Sequence, residues 1–143
     1  MVALESSLVA RLVLWPIAPR LMRVTGGRFA RTLPVPVDVI ETRDARDGRP
    51  HHRVVVYFHD GERVIVIPSK AGMPDDPFWY QNALADPNVR FGGHPFRAEV
   101  VDDPASQARI WSLADRFYPP YVTYRALAAR HDRTIPILQL TPR

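Results

Sequence analysis

A chain of 143 residues, 46 % hydrophobic and 24 % charged, has the length and balance of one soluble globular unit and is too short for two separate cores. The absence of cysteine excludes a disulfide framework, a thiolate metal site and a cysteine nucleophile, and makes a reducing compartment, the cytoplasm, the default location. A net charge of +4 spread over scattered arginines, with no stacking-aromatic motif beside them, argues against nucleic acid as a partner.

Leu4, Leu8, Leu12 and Trp15 recur at helical spacing until Pro16 and Pro19 interrupt them. Residues 1–31 therefore read as an amphipathic helical extension of a single domain spanning residues 1–143. The run is too short to cross a bilayer and has no basic start or clear cleavage site. Packing against the domain is one use of this helix. Peripheral contact with a membrane, aided by Arg11, Arg20, Arg23, Arg28 and Arg31, is the other.

After the Thr25-Gly26-Gly27 turn, β-branched residues alternating from Val35 to Thr42 predict a first strand, with Pro36 at its edge. A charged loop, Arg43 to Pro50, leads to a second strand from His51 to Phe58. Asp60-Gly61 between two apolar runs predicts a tight type I′ hairpin with a third strand, Arg63 to Ile67. Both runs are continuously apolar, so both faces should be covered, one by a barrel interior and the other by a helix or a second subunit. Asp76-Pro77 has the form of an N-cap followed by a proline in the first turn, opening a short helix that ends at Asp86-Pro87.

Val89 to Phe91 and Phe96 to Val101 flank Gly92-Gly93 as a further hairpin. Asp103-Pro104 repeats the cap device ahead of a helix whose Ile110, Leu113, Ala114 and Phe117 form one apolar face. Tyr118-Pro119-Pro120 ends it, a second helical segment carries Tyr121 and Tyr124, and Ile135 to Leu140 closes the chain as a strand. Six short strands that do not alternate with helices predict an α+β fold, mainly an antiparallel barrel with helical decoration.

Nucleotide motifs of the Rossmann and P-loop kinds and a hydrolase elbow are absent. The histidines do not predict a metal site. His51 and His52 point to opposite faces of a strand, and His59 lies roughly 26 Å beyond His51 at about 3.3 Å per residue. Two groupings remain. Arg46, Arg49, His51 and Arg53 should lie beside Pro68, Ser69 and the chain's only lysine, Lys70, as a cationic lip for a phosphate or polycarboxylate. The alternative is a solvated charged rim. Tyr118, Tyr121 and Tyr124 can line a pocket or simply pack, with Trp79 and Tyr80 elsewhere in the chain.

The segment Ser69 to Val89, S-K-A-G-M-P-D-D-P-F-W-Y-Q-N-A-L-A-D-P-N-V, closely resembles the deazaflavin-dependent nitroreductase family, whose members run S-K-G-G-x-P-x-x-P-x-W-Y-x-N-L-x-A-x-P. Tyr118-Pro-Pro-Tyr121-Val-Thr-Tyr124 and Arg133-Thr-Ile-Pro-Ile-Leu look like the family's Y-P-x-Y-x-x-Y and R-x-I-P-V-x-x-L. The resemblance covers roughly the last two thirds of the chain. It implies a split β-barrel that uses coenzyme F-420, an 8-hydroxy-5-deazaflavin, in preference to flavin mononucleotide, to pass a hydride to a quinone or nitro-aromatic acceptor. Ser69, Lys70 and Arg46 would hold the cofactor's phosphate and acidic tail, Trp79 and Asn82 would border it, and Tyr118, Tyr121 and Tyr124 would line the substrate pocket and offer hydrogen bonds or protons.

The arginine loop departs from the family's T-T-x-G-x-x-S-G-x-x-R-x-x-P-L: Asp44 stands for a glycine, Asp47 for a serine, His51 for an arginine and Val54 for a proline. Carboxylates repel a phosphate and a neutral histidine loses a bidentate donor, which Arg49 or Arg53 would replace. A protein of the same fold that holds a lipophilic ligand without catalysis is the rival expectation, and a monomer or a homodimer is compatible with either.

Overall fold

The computed structural model describes residues 35–143, so the expected N-terminal helix and the Thr25-Gly26-Gly27 turn lie outside the described residues. Six strands form a closed antiparallel barrel: β1 (Val37–Arg43), β2 (Pro50–Asp60), β3 (Arg63–Val66), β4 (Asn88–Phe91), β5 (His94–Val100) and β6 (Leu138–Pro142). They run in the order β1-β2-β3-β6-β5-β4, and the barrel closes where Ile40 and Glu41 of β1 pair with Phe91 and Arg90 of β4. Three α-helices and a single 3-10 turn, Lys70–Gly72, complete the described chain: α1 (Phe78–Ala85), α2 (Pro104–Phe117) and α3 (Pro120–Ala129).

Alternation along the strands decides what faces inward. Ile40, Val55, Val64, Val66, Val89, Phe91, Ala98, Leu138 and Leu140 fill the interior, and Trp79, Tyr80 and Ala83 of α1 join the same cluster, so α1 packs onto the barrel core. The opposite face of β2 and β3 presents Phe58 and Ile65 to a second core with Ile110 and Ala114 of α2, Tyr121, Tyr124 and Ala128 of α3, and Ile135 and Ile137. The continuous apolar runs of these two strands thus face the barrel interior on one side and helices on the other.

The β2–β3 hairpin is tight, but its loop lies one residue beyond the expected position. Asp60 pairs with Arg63, leaving Gly61-Glu62 as the two loop residues. Gly61 takes φ +63° while Glu62 does not turn positive, so the turn is not type I′ and the glycine leads, as in type II′ loops. At the other end of the chain Ile135 and Ile137 are buried but precede β6. Pro136 has no N–H for the ladder, and pairing begins at Leu138.

The two Asp-Pro pairs behave differently. Asp103 caps α2 as expected, its Oδ2 accepting the Ser106 N–H at 2.9 Å. Asp76 does not cap α1, which starts at Phe78 behind Pro77 without a side-chain cap, because the Asp76 carboxylate is bonded to Arg133 instead. On α2, Ile110 and Ala114 are buried, whereas Phe117 is half-exposed and stacks on Phe58 at 5.4 Å between ring centroids. Two bidentate ion pairs fix α2: Arg109 grips Asp60 at the end of β2, and Asp115 accepts from Arg125 of α3 at 2.8 and 2.7 Å. Arg125 also lies over the Trp111 ring, 4.2 Å from its centroid.

Between β3 and α1 the chain turns through three successive left-handed residues, Lys70, Ala71 and Gly72, with φ of 45°, 56° and 75°. Only glycine adopts this region freely; an L-residue there costs about 1–2 kcal/mol. Gly72 is also the point where the loop meets α3. A Cβ on it would stand 2.4 Å from the Tyr124 carbonyl oxygen and 2.7 Å from Leu127 Cβ. Ala71→Gly should therefore stabilise the protein, by up to about 1 kcal/mol after the added freedom of the unfolded chain is deducted. Gly72→Ala should destabilise it by about 2 kcal/mol or more, since φ and close contact both oppose the methyl group. Guanidinium denaturation of the two variants measures both, and equal stabilities would contradict the strained geometry.

Candidate active site

The loop from Pro68 to Asp76 is held from outside by Arg133. Its Nη1 donates to the carbonyls of Ser69 at 2.8 Å and Met73 at 2.9 Å, Nη2 donates to the Pro68 carbonyl at 2.6 Å, and Nε donates to Asp76 Oδ1 at 3.0 Å. The side chain is only 7 % exposed. An irregular loop leaves carbonyls outside the sheet and helix ladders, and a guanidinium fork satisfies several at once while Asp76 balances its charge. Reading of the sequence assigned Arg133 no role of its own, although it begins the R-T-I-P motif.

A cavity of about 340 Å³ opens between β2, this loop, the start of α1 and the tyrosines. Arg53 of β2, Ser69 and Lys70 supply its polar groups, and Ile67, Trp79 and the three phenol rings supply apolar surface. The structure therefore brings Arg53, Ser69, Lys70, Trp79, Tyr118, Tyr121 and Tyr124 to one space. Met73 and Phe78, which the sequence did not single out, line it too and are half or more exposed.

The remaining expected residues lie around this space but not in its lining. Pro68 is buried beneath Arg133. Asn82 is buried on α1, its Oδ1 accepting the Ala45 N–H at 3.1 Å and its Nδ2 reaching Thr42 Oγ1 at 3.4 Å, so it ties the β1–β2 loop to α1. Arg46 is exposed, 5.8 Å over the Phe78 ring, and Arg49 is exposed beside Asp47 at 4.0 Å. His51 and His52 point to opposite faces of β2: His52 Nε2 lies 2.7 Å from Glu41 Oε1, while His51 Nδ1 is buried without a partner among the described residues. Burial, and next the charge of Arg53, push the His51 imidazole below its usual pKa, so it stays neutral.

The tyrosines come from two elements. Tyr118 ends α2, and Tyr121 and Tyr124 lie on α3. The Tyr118 and Tyr124 hydroxyls are 3.4 Å apart, and Tyr118 and Tyr121 meet edge to face at 4.9 Å. Tyr121 is fully buried, and desolvation raises its phenol far above the usual range, so it remains a neutral hydrogen-bond donor. Carboxylates stand close to the mouth cations: Lys70 Nζ donates to Asp75 Oδ2 at 2.7 Å, and Arg46 pairs with Asp44. The Arg46 side chain and backbone N–H together hold the Asp44 carboxyl at about 2.

The family model of the F420H(2)-dependent quinone reductases matches residues 17–142. An F420H(2)-dependent quinone reductase of Mycobacterium tuberculosis is 30 % identical over 129 residues, covering 85 % of each chain. Among solved structures, an F420-H2 dependent reductase, FDR-A, superimposes with a TM-score of 0.63 at 26 % identity, over 73 % of this chain and 93 % of its own. A protein described as a domain-swapped dimer shares the fold at 22 % identity, with a TM-score of 0.64 over 86 % of this chain and 98 % of its own.

Because Arg133 is buried and bonded to four groups, Arg133→Met should cost about 3–5 kcal/mol, leaving Asp76 and the loop carbonyls without their donor. Arg133→Lys should recover part of this, since one ammonium cannot span the same fork. As Lys70 is the chain's only lysine, lysyl endopeptidase reports on this loop alone. Cleavage after Lys70 should accelerate in Arg133→Met, which keeps Lys70 as the single lysine, relative to the wild type, and an unchanged rate would show that Arg133 does not hold the loop.

Proposed function

The chain belongs to the F420H(2)-dependent quinone reductase family, an oxidoreductase family using coenzyme F420, and we propose that the cavity between β2, the Lys70 loop and α3 holds both cofactor and acceptor. The observation that carries this reading is the convergence on that one cavity of Arg53, Ser69 and Lys70 with Trp79 and the three tyrosines. The donor set fits the group. A guanidinium, an ammonium and a hydroxyl in one lining suit a phosphate with an acidic tail, and apolar walls around about 340 Å³ suit a flat heteroaromatic ring.

When bound, the reduced deazaflavin supplies the hydride. The protein's part is to bind, orient and exclude water. Arg53, Lys70 and Ser69 take the anionic groups, with Arg46 at the rim. Trp79, buried in both the barrel core and the cavity wall, presents an apolar surface that keeps water from the ring. The Tyr121 phenol donates a hydrogen bond to an acceptor oxygen on which negative charge develops, the role of an oxyanion donor. Its raised pKa makes it a positioning donor at neutral pH rather than a proton relay. A quinone carbonyl is the acceptor group that suits this arrangement, and a nitro group offers comparable oxygens.

Titration of the purified protein with the deazaflavin, followed by its fluorescence, with flavin mononucleotide in parallel, tests the reading. Saturable binding of the deazaflavin, tighter than that of flavin mononucleotide, is expected. Arg53→Ala should weaken it on the order of 10-fold or more, as for a lost charged hydrogen bond worth about 1.5–3 kcal/mol. Absence of any binding would leave a lipophilic-ligand protein on the same fold as the better account. Tyr121→Phe should lower the rate of menadione reduction while leaving cofactor affinity intact, and a wild-type rate would assign the phenol to packing alone.

A further inference from the structure

The cations at the cavity mouth are already engaged by carboxylates of the chain itself. Lys70 is bonded to Asp75, and Arg46 donates through Nε and Nη2 to both Asp44 oxygens at 3.3 and 3.2 Å. Among the described residues Arg53 makes no such pair; its Nη1 donates to the His52 carbonyl at 3.2 Å. The two pairs differ in which partner is exposed. In the first, Lys70 belongs to the cavity wall and Asp75 is 67 % exposed, so the carboxylate is free to leave. In the second, Asp44 is 17 % exposed and anchored by the Arg46 backbone N–H at 2.8 Å, while the Arg46 side chain is 82 % exposed and free to swing out.

Resting on the functional reading above, we propose that Asp75 and Asp44 compete with the cofactor's anionic groups for Lys70 and Arg46, so that the cofactor is taken up by exchange of ion pairs rather than by capture on free cations. A ligand anion displaces Asp75 from Lys70, and Arg46 leaves Asp44 for a second anion. Each exchange breaks one exposed pair as it makes another, so neither contributes much by itself. A ligand with a single anion satisfies Arg53 and goes little further. One carrying several anions on a tail engages all three cations, and the unfavourable desolvation is shared among contacts that form together. The carboxylates thus make the site selective for the length and charge of the tail. Both belong to positions where the sequence carries its own residues: Asp44 replaces the family's glycine, and Asp75 falls at an unspecified position of the S-K motif.

The test is a fluorescence titration of the full chain with the tail-bearing deazaflavin and with the tail-less deazaflavin chromophore, at low and at moderate salt. Asp75→Asn and Asp44→Asn should each tighten the tail-bearing cofactor by roughly 2- to 5-fold, the range of an exposed pair, and the double variant by more. The tail-less chromophore should bind all variants alike. Salt dependence should steepen in the variants, because binding there forms new ion pairs instead of exchanging old ones. Lys70→Ala should abolish the gain from Asp75→Asn. The amide introduced by Asp44→Asn retains an oxygen for the Arg46 N–H, and matching thermal unfolding of variants and wild type shows that the loop is intact. If all proteins bind the tail-bearing cofactor with equal affinity, or the variants bind it more weakly, the competitor role is overturned while the functional reading stands. If wild type and variants bind neither ligand, the functional reading falls and this inference with it.

Discussion

The site depends on one buried guanidinium. Arg133 donates to the Pro68, Ser69 and Met73 carbonyls and to Asp76, all of them outside the sheet and the three α-helices. Without it the loop would have to hold three consecutive left-handed residues, two of them with a Cβ, at a cost of about 1–2 kcal/mol each and with little to offset it. The loop is also seated against α3, where Gly72 leaves no room for a side chain. Since α3 carries Tyr121 and Tyr124, and Arg133 follows soon after it, one segment positions both the lysine side and the phenol side of the cavity. Displacement of α3 would move both together.

The electrostatics of the mouth follow from a mismatch between charge and availability. A count of arginines and one lysine gives a strongly cationic rim, yet Lys70 and Arg46 each face a carboxylate of this chain, and Arg49 lies beside Asp47. Such exposed pairs contribute little to stability. Their larger consequence is for an incoming anion, which among the described residues of the mouth meets a neutralised surface except at Arg53. His51 adds little charge, because burial and the neighbouring Arg53 keep it neutral. A mostly apolar cavity where, among the described residues, Arg53 is bonded only to a carbonyl while Lys70 and Arg46 are paired with carboxylates differs from an open phosphate clamp.

Much of the frame was legible because strand signals are local. Alternation in β1, apolar runs and the turn glycines between paired strands located the strands, and the continuous apolar runs of β2 and β3 signalled burial on both faces, which the barrel interior and the α2–α3 layer supply. Asp103 behaved as its position predicts, because its carboxylate bonds only within its own turn, to Ser106, among the described residues. Asp76, with the same Asp-Pro signature, did not, because Arg133, 57 residues away in sequence, binds it more strongly than helix N–H groups could. Pro136 delayed β6 by removing a donor, a local effect that only the register made visible.

The sequence by itself determined the elements, the kinship of the Ser69–Val89 segment, and the types of side chain on offer: a hydroxyl, an ammonium, guanidinia and phenols. Tertiary structure alone decided which of them meet. It brought Arg53 rather than His51 into the cavity, committed Asn82 to Thr42 and Ala45, and paired the mouth cations with Asp44 and Asp75. Those outcomes depend on barrel closure, on the inward or outward turn of each β2 residue, and on contacts between groups distant in the chain. Periodicity and spacing report on the nearest few residues, whereas an ion pair or a cavity wall is set by where the backbone carries residues dozens of positions apart.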